Sequence, residues 1–471
     1  MAQMLAAKNE IEDIEGISRR LCEAVENWTY NDIPEDVVRT LRMLVIDTLG
    51  VIGGAARAPG IAEVNQRLAK WESSGSATGL IGKRRFSPPN AAMANGAAAH
   101  ALDFDDMHDP ARIHAFCVLL PTMLAVAEDI GDVDGKRFIL ALVVAAEVHA
   151  RLGFTCYNSL GKGWHPTTTL GTMAAAIGAG RMLGLTGDKL VSALGIAFHQ
   201  AQGTAQSMHD GVLTKRLGPG FAARNAVTAA FLAQDGITGP FRSLEGSAGL
   251  FHLLERDEVK SSELLEDIGK EWRIRGFSFK PYPCCRCNHT TIDLAFDLRK
   301  RGIGADDIKS VEIRLPQVNF QTVGQPYDVT RDSVVHAQFN VAYTFSRALI
   351  DGKVTLPTYT KPNIADPKVV ALASRVKAMP DPGESPTAME PSKVCVELKD
   401  NTTVLLEGRK TKGAPDAPMS IDELLGKFAD CLDFGQGTAR QTAQQYAERI
   451  LELDQVSNIS DLIRDFPDMT G

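Results

Sequence analysis

Between Gly161 and Asn225 the chain is built largely of small residues, and its polar side chains collect at the ends of the small-residue runs. The segment opens with GKGWHPTTTLGTMAAAIGAGRMLGLT, continues through LVSALGIAFHQAQGTAQSMHDG and closes with VLTKRLGPGFAARN. Alanine favours helix, and interspersed glycine lets helix backbones approach closely. His165 precedes the first run, His209 and Asp210 follow the second, and Lys215-Arg216 stand just before a third. The pattern predicts a close-packed apolar bundle with an imidazole and a cationic pair at its rim, suited to an anionic substrate.

The rim cations are a local exception, because the formal net charge of the whole chain is −8. That balance carries no basic footprint for nucleic acid or an anionic membrane. The segment MAQMLAAKNEIEDIEGISRRL lacks the basic and apolar regions of a secretory signal. The most apolar window, FILALVVAAEVHA at 138–150, falls short of the roughly 20 residues a membrane span needs. A cytoplasmic protein without a membrane partner is expected. Of eight cysteines, three form the cluster CCRC at 284–287, but a second ligand pair at zinc spacing is missing. Buried thiols without a metal are the better reading.

The order of elements predicts the architecture. EDVVRTLRMLVIDTLGVIGGAA, PPNAAMANGAAAHALDFD, AFCVLLPTMLAVAEDIG and FILALVVAAEVHARLGF all read as helix, and no strand-like alternation precedes about residue 300. Beyond Trp272 the pattern changes: SVEIRLPQV alternates at period two, and SKVCVELKDNTTVLLEG reads as a hairpin turning at Asp400-Asn401. VAYTFSRALIDGKV and DPKVVALASRVKAM read as further helices, and amphipathic helix returns from SIDELLGKFADCLDF onward. The expected fold is mainly α: a large all-helical domain built from both chain ends (1–272 and 415–471) with an inserted α+β lid (273–414). The cleft where the two meet is the natural place for a small-molecule site.

Several blocks resemble the MmgE/PrpD family: ALDFDDMH followed by an isolated His114, GWHPTTTLG, DGVLTKRLGPGFAARN, FKPYPCCRCNHTTIDLA and AQFNVAYTFSRALIDGKV. They occur in family order between about residues 15 and 455. That family includes 2-methylcitrate dehydratases, cis-aconitate decarboxylases and iminodisuccinate epimerases. The resemblance implies a helical domain with an α+β lid, a homodimer, and chemistry on a small di- or tricarboxylate without a cofactor. No glycine-rich dinucleotide fingerprint interrupts that reading.

Candidate site residues follow from both lines of argument. Asp103, Asp105 and Asp106 crowd against His108, an arrangement that can raise some carboxyl pKa values. His114 begins an apolar helix, where the helix N-terminus would lower its basicity and keep it able to accept a proton. His165 stands in a Gly-Trp-His-Pro turn before Thr167, Thr168 and Thr169, whose free amides could hold a carboxylate. Lys215 and Arg216 adjoin Leu-Gly-Pro-Gly, read as a loop. The resemblance marks His114, His165, Lys215 and Asp103 as catalytic. Lys280, before Pro-Tyr-Pro, is read at the hinge into the lid, with Arg216, Cys285, His108 and His289 as further substrate contacts, His289 either reaching the cleft or capping its own helix. Cys285 stands where the animal cis-aconitate decarboxylase type has a histidine. The chemistry expected is a lyase reaction, dehydration or decarboxylation, by proton transfer next to a carboxylate. Two-base epimerisation and a non-catalytic dimeric binding protein are the alternatives.

Overall fold

A computed structural model describes residues 14–72, 74–385 and 388–467. Its larger body is helical: α1 (Glu35–Gly54), α2 (Pro88–Ala99), α3 (Phe116–Ile130), α4 (Gly135–Thr155), α5 (Pro166–Met182), α6 (Gly187–His199) and α7 (Thr214–Gln234). α5 is the axis of this body. Every residue from Pro166 to Gly180 is buried, and α3, α4, α6 and α7 all pack on it. A helix apolar or small on all sides belongs inside a protein.

Glycine sets the closeness of the packing. A Cβ on Gly96 of α2 would lie 2.9 Å from the Cα of Gly220 in α7, so these two helices cross backbone against backbone. α4, at 21 residues, is longer than its sequence window suggested and is long and apolar enough to cross a membrane by length and composition. It is instead a core helix, with 89% of its most apolar window buried.

The smaller body holds a four-stranded sheet of β5 (Ile308–Leu315), β6 (Val376–Pro380), β7 (Ser392–Leu398) and β8 (Thr403–Gly408), in the order β6-β5-β7-β8. β5 runs parallel to β6 and antiparallel to β7, and β7 pairs antiparallel with β8. α8 (His289–Lys300) and α9 (Val341–Asp351) pack on each other beside it. This body has its own core, including Ile313, Val394, Tyr343 and Leu298. The β7–β8 turn is the expected one: Asn401 takes φ +67°, which asparagine tolerates better than most residues.

Three local expectations are corrected. Val376 to Met379, read as the end of a helix, belong to strand β6, because the preceding helix ends at Ala373 and Val311 to Leu315 offer a free edge for parallel pairing. Short strands also occur early: β1 (Ala77–Gly79) pairs with β2 (Arg84–Phe86), and β3 (Met107–His108) pairs with β4 (Phe277–Ser278). They are two or three residues long, too short for alternation to register. Finally, Leu217–Gly220 is no loop but part of α7, with Pro219 inside its second turn.

The chain's later helix α10 (Ile421–Gln436) returns to α1. Gly50, Gly53 and Gly54 of α1 meet Phe428, Leu432 and Cys431 there. At this contact Lys427 Nζ lies 2.6 Å from the Asp47 carboxylate, both side chains buried, and donates to the Phe104 carbonyl at 2.7 Å. Breaking a buried pair from one side strands the other charge, at a cost of about 3–5 kcal/mol. Lys427→Met should therefore lower the free energy of unfolding, measured by urea titration, by that amount, and Asp47→Leu in the same chain should recover most of it. A double-variant loss equal to the sum of the two single losses would show that the pair is not coupled.

Candidate active site

The wall of the site is the segment that leaves α2. After His100 the chain turns through Asp103, which takes φ +51°. Three consecutive carbonyls hold the turn from three distant parts of the sequence. Gln338 Nε2 donates to Leu102 O at 2.7 Å, Lys280 Nζ to Asp103 O at 2.9 Å, and Lys427 Nζ to Phe104 O at 2.7 Å. Left-handed backbone is uncommon outside glycine, though aspartate accepts it more readily than most.

The turn aims the Asp103 carboxylate between two lysines. Lys215 Nζ, from the first turn of α7, donates to Oδ1 at 2.5 Å, and Lys280 Nζ lies 3.4 Å from Oδ2. All three groups are buried. Burial alone would raise the carboxyl pKa, but Lys215 and then Lys280 hold it well below the usual range. Burial would likewise lower the Lys280 pKa, yet Asp103 and Asp105 raise it above the ordinary lysine value. Two lysine ammonium groups against one carboxylate give the trio one net positive charge.

This trio borders a cavity of about 460 Å³ between the two bodies. Arg112, Lys215, Lys280, Arg286 and Arg331 line it, and Asp103 is the one acid among the lining residues. Arg286 is anchored by Asp109, 3.1 Å from its Nη2. Phe339 lies beneath Lys215, with Nζ 4.9 Å from the ring centre. A small polyanion is the complement of such a cavity.

Two imidazoles face the same space. The His114 amide donates to Thr167 Oγ1 at 2.9 Å, and its Nδ1 lies 2.7 Å from the Asp106 carbonyl. A carbonyl only accepts, so Nδ1 carries the hydrogen and Nε2 is left with a lone pair. Burial presses the His114 pKa down to about 3, against the opposing pull of Asp105. The cause is thus desolvation, not the helix terminus expected from sequence. His165 caps the start of α5, and burial with neighbouring His100 and Lys215 drives its pKa well below 6.5. Both rings are neutral at pH 7.

Behind them lies His100, a residue not among the candidates drawn from the sequence. His100 is fully buried, with Nδ1 2.7 Å from Asp105 Oδ2 and its ring 5.0 Å from that of His114 and 6.0 Å from that of His165. Burial would raise Asp105, but His100 and His114 hold it strongly ionised. Asp106 behaves oppositely: burial and the nearby Asp105 raise its pKa well above 3.8 although its oxygens accept the amides of Ala115 and Phe116 at 3.0 and 3.1 Å. Of three crowded carboxyls, then, one is raised. Donor atoms of His100, Asp105 and Cys117 lie within 4.8 Å of one another, a cluster already tied by the His100–Asp105 hydrogen bond.

Other expected contacts lie elsewhere. Arg216 follows Lys215 on one helix, so its side chain points about 100° away, and it donates to the Pro59 carbonyl at 3.2 Å instead of lining the cavity. His108 is held in β3, its Nε2 3.0 Å from the Arg273 carbonyl and its ring packed edge-on against Phe154 and Phe277. His289 is the first residue of α8, but its ring packs on Tyr282 and its Nε2 meets the Cys284 carbonyl at 3.2 Å. The amides of Thr168 and Thr169 are not free, since both donate to the His165 carbonyl at 3.0 Å. Cys285 does line the cavity, together with Cys287. Arg112 and Arg286 were missed: they sit inside blocks read for their histidines and cysteines, and isolated arginines carry no spacing signal.

A second cavity, about 200 Å³, lies on the other side of His165 and Lys215, which line both. Thr168, Ser207 and Thr214 contribute to its walls.

Comparison with known proteins matches this architecture throughout its length. Residues 19–262 match the MmgE/PrpD N-terminal domain and residues 282–453 the MmgE/PrpD C-terminal domain. The chain is 27% identical over 470 residues to a cis-aconitate decarboxylase of Aspergillus terreus, covering 95% of each protein. It is 27% identical to the cis-aconitate decarboxylase of Homo sapiens, covering 97% of this chain and 93% of the relative, and 26% identical to that of Mus musculus. With the first domain match alone taking in more than half of its residues and the second following in order, the chain belongs to the MmgE/PrpD family.

Proposed function

We propose that this enzyme is a lyase acting on a small di- or tricarboxylate, by proton transfer at carbon next to a carboxylate, and that it needs no cofactor for the step. The observation that carries the reading is the pairing of a net-positive Lys215–Asp103–Lys280 trio with two neutral imidazoles on one cavity. The similarity to cis-aconitate decarboxylases supports the lyase class.

Substrate carboxylates enter a cavity of five cations and one acid. One carboxylate approaches Lys215 and Lys280, whose ammonium groups stabilise negative charge as it spreads onto that carboxylate in the transition state. In a dehydration, His114 Nε2 takes the proton from the adjacent carbon, and the C–H electron pair enters the enediolate. That pair then forms the carbon–carbon double bond as the β-hydroxyl departs, protonated by His165 to leave as water. In a decarboxylation the electron pair comes from the broken C–CO2 bond and an imidazole N–H delivers the proton to carbon. The two arms share every binding group.

Two neutral imidazoles on one cavity also fit a two-base epimerase, in which one ring removes the proton and the other returns it to the opposite face. A homodimer remains the expected assembly.

Proton NMR in D2O of the protein with a panel of hydroxy, unsaturated and amino di- and tricarboxylates should show loss of water or CO2 from at least one. Deuterium uptake without product would instead establish the epimerase reading, and silence across the panel would remove both. With the active substrate, His165→Ala should lower kcat by about 10²–10⁴-fold with folding retained; an unchanged rate would displace His165 from the chemistry. Because His114 is a base with its pKa near 3, kcat/KM should stay level as pH falls from 8 to about 5. A fall centred near 6.5 would show an ordinary exposed imidazole acting as the base.

A further inference from the structure

The His100–Asp105 pair has no part in the steps above, yet it is built as a proton-handling group. His100 follows the last residue of α2 and is wholly buried. Its Nδ1 faces Asp105 Oδ2 at 2.7 Å, and since an ionised carboxylate only accepts, that nitrogen carries the hydrogen. The lone pair is then on Nε2, which is buried and has no hydrogen-bond partner within the protein. Leaving such an acceptor unpaired costs stability, and a purely packed position would be better filled by an apolar ring. The ring stands beside both cavity imidazoles, centre to centre 5.0 Å from His114 and 6.0 Å from His165. Charged groups close to it are Asp105, Asp103 and Lys215.

We propose that His100, backed by Asp105, is a relay that carries a proton between His114 and His165 and so resets the site inside the protein after each turnover. The inference rests on those two histidines being the proton carriers of the proposed reaction. Elimination or two-base exchange leaves one cavity imidazole with an extra proton and the other one short. The protonated ring gives its N–H proton to the lone pair of His100 Nε2, directly or through one water, and keeps the bonding pair as its own lone pair. His100 is then an imidazolium against the Asp105 carboxylate. It passes the same proton to the deficient ring and returns to its starting tautomer. No proton is gained or lost overall. As a group acting through others, His100 is a positioning and relay residue, not one that touches substrate.

The test is His100→Asn, whose amide nitrogen can keep the hydrogen bond to Asp105 while the Nε2 acceptor is gone. With the substrate found in the carboxylate panel, kcat should fall about 10²-fold, KM should be unchanged, and added imidazole buffer, which can protonate and deprotonate the cavity rings from solvent, should restore most of the rate. An unchanged kcat, or a loss that buffer leaves untouched, overturns the relay while the wild-type turnover keeps the lyase reading intact. Wild-type protein silent toward every carboxylate overturns both. If His100→Asn does not fold, nitrogen NMR of the wild-type protein labelled with ¹⁵N-histidine serves instead, its ten imidazoles assigned by histidine substitutions elsewhere and by elimination. His100 should be the neutral form bearing its hydrogen on Nδ1 at pH 7, and the opposite tautomer or an imidazolium would overturn the proposal.

Discussion

One buried carboxylate holds this site together. Asp103 would be costly to ionise away from water, and it is ionised because Lys215 and Lys280 reach it from opposite directions. Each of the three depends on the others: without the carboxylate, two ammonium groups would share a dry space. Their helices and loops are fixed accordingly. Lys215 requires α7 to begin where it does, and Lys280 requires the approach to the sheet domain to pass directly over the turn after α2.

The cavity's electrostatics follow from that arrangement. The chain is acidic overall, yet the ion trio, Arg112, Arg286 and Arg331 make the space between the two bodies strongly positive. Burial keeps His114 and His165 neutral in the same field, since added protons would meet both desolvation and neighbouring cations. Cationic grip and uncharged bases are thus consequences of a single dry, lysine-rich setting.

Much of this was legible in the residues. Ala- and Gly-rich runs announced the buried helices, period-two alternation marked β5 and the β7–β8 hairpin, and polar residues at run ends pointed to His165 and Lys215. What escaped was whatever depends on direction. Arg216 adjoins Lys215 in sequence but leaves the helix on another side, and His108 and His289 are turned into aromatic packing. Pro219 suggested a break, but glycines on both sides relieve crowding and α7 runs through it. Val376 to Met379 resembled the end of a helix because their strand identity comes from their neighbour β5, a partner more than sixty residues earlier. His100 hid for a similar reason, its meaning lying in two rings that only the fold brings near.

The three gripped carbonyls of Leu102, Asp103 and Phe104 also have a bearing on biosynthesis. Their donors lie at positions 280, 338 and 427, so the turn has all its supports only once residue 427 has left the ribosome. The Ala-rich core can form earlier, since its helices precede residue 235. A nascent chain therefore acquires a body before it acquires a working cavity, and a message cut short before codon 427 would yield a chain with its Asp103 turn only partly braced.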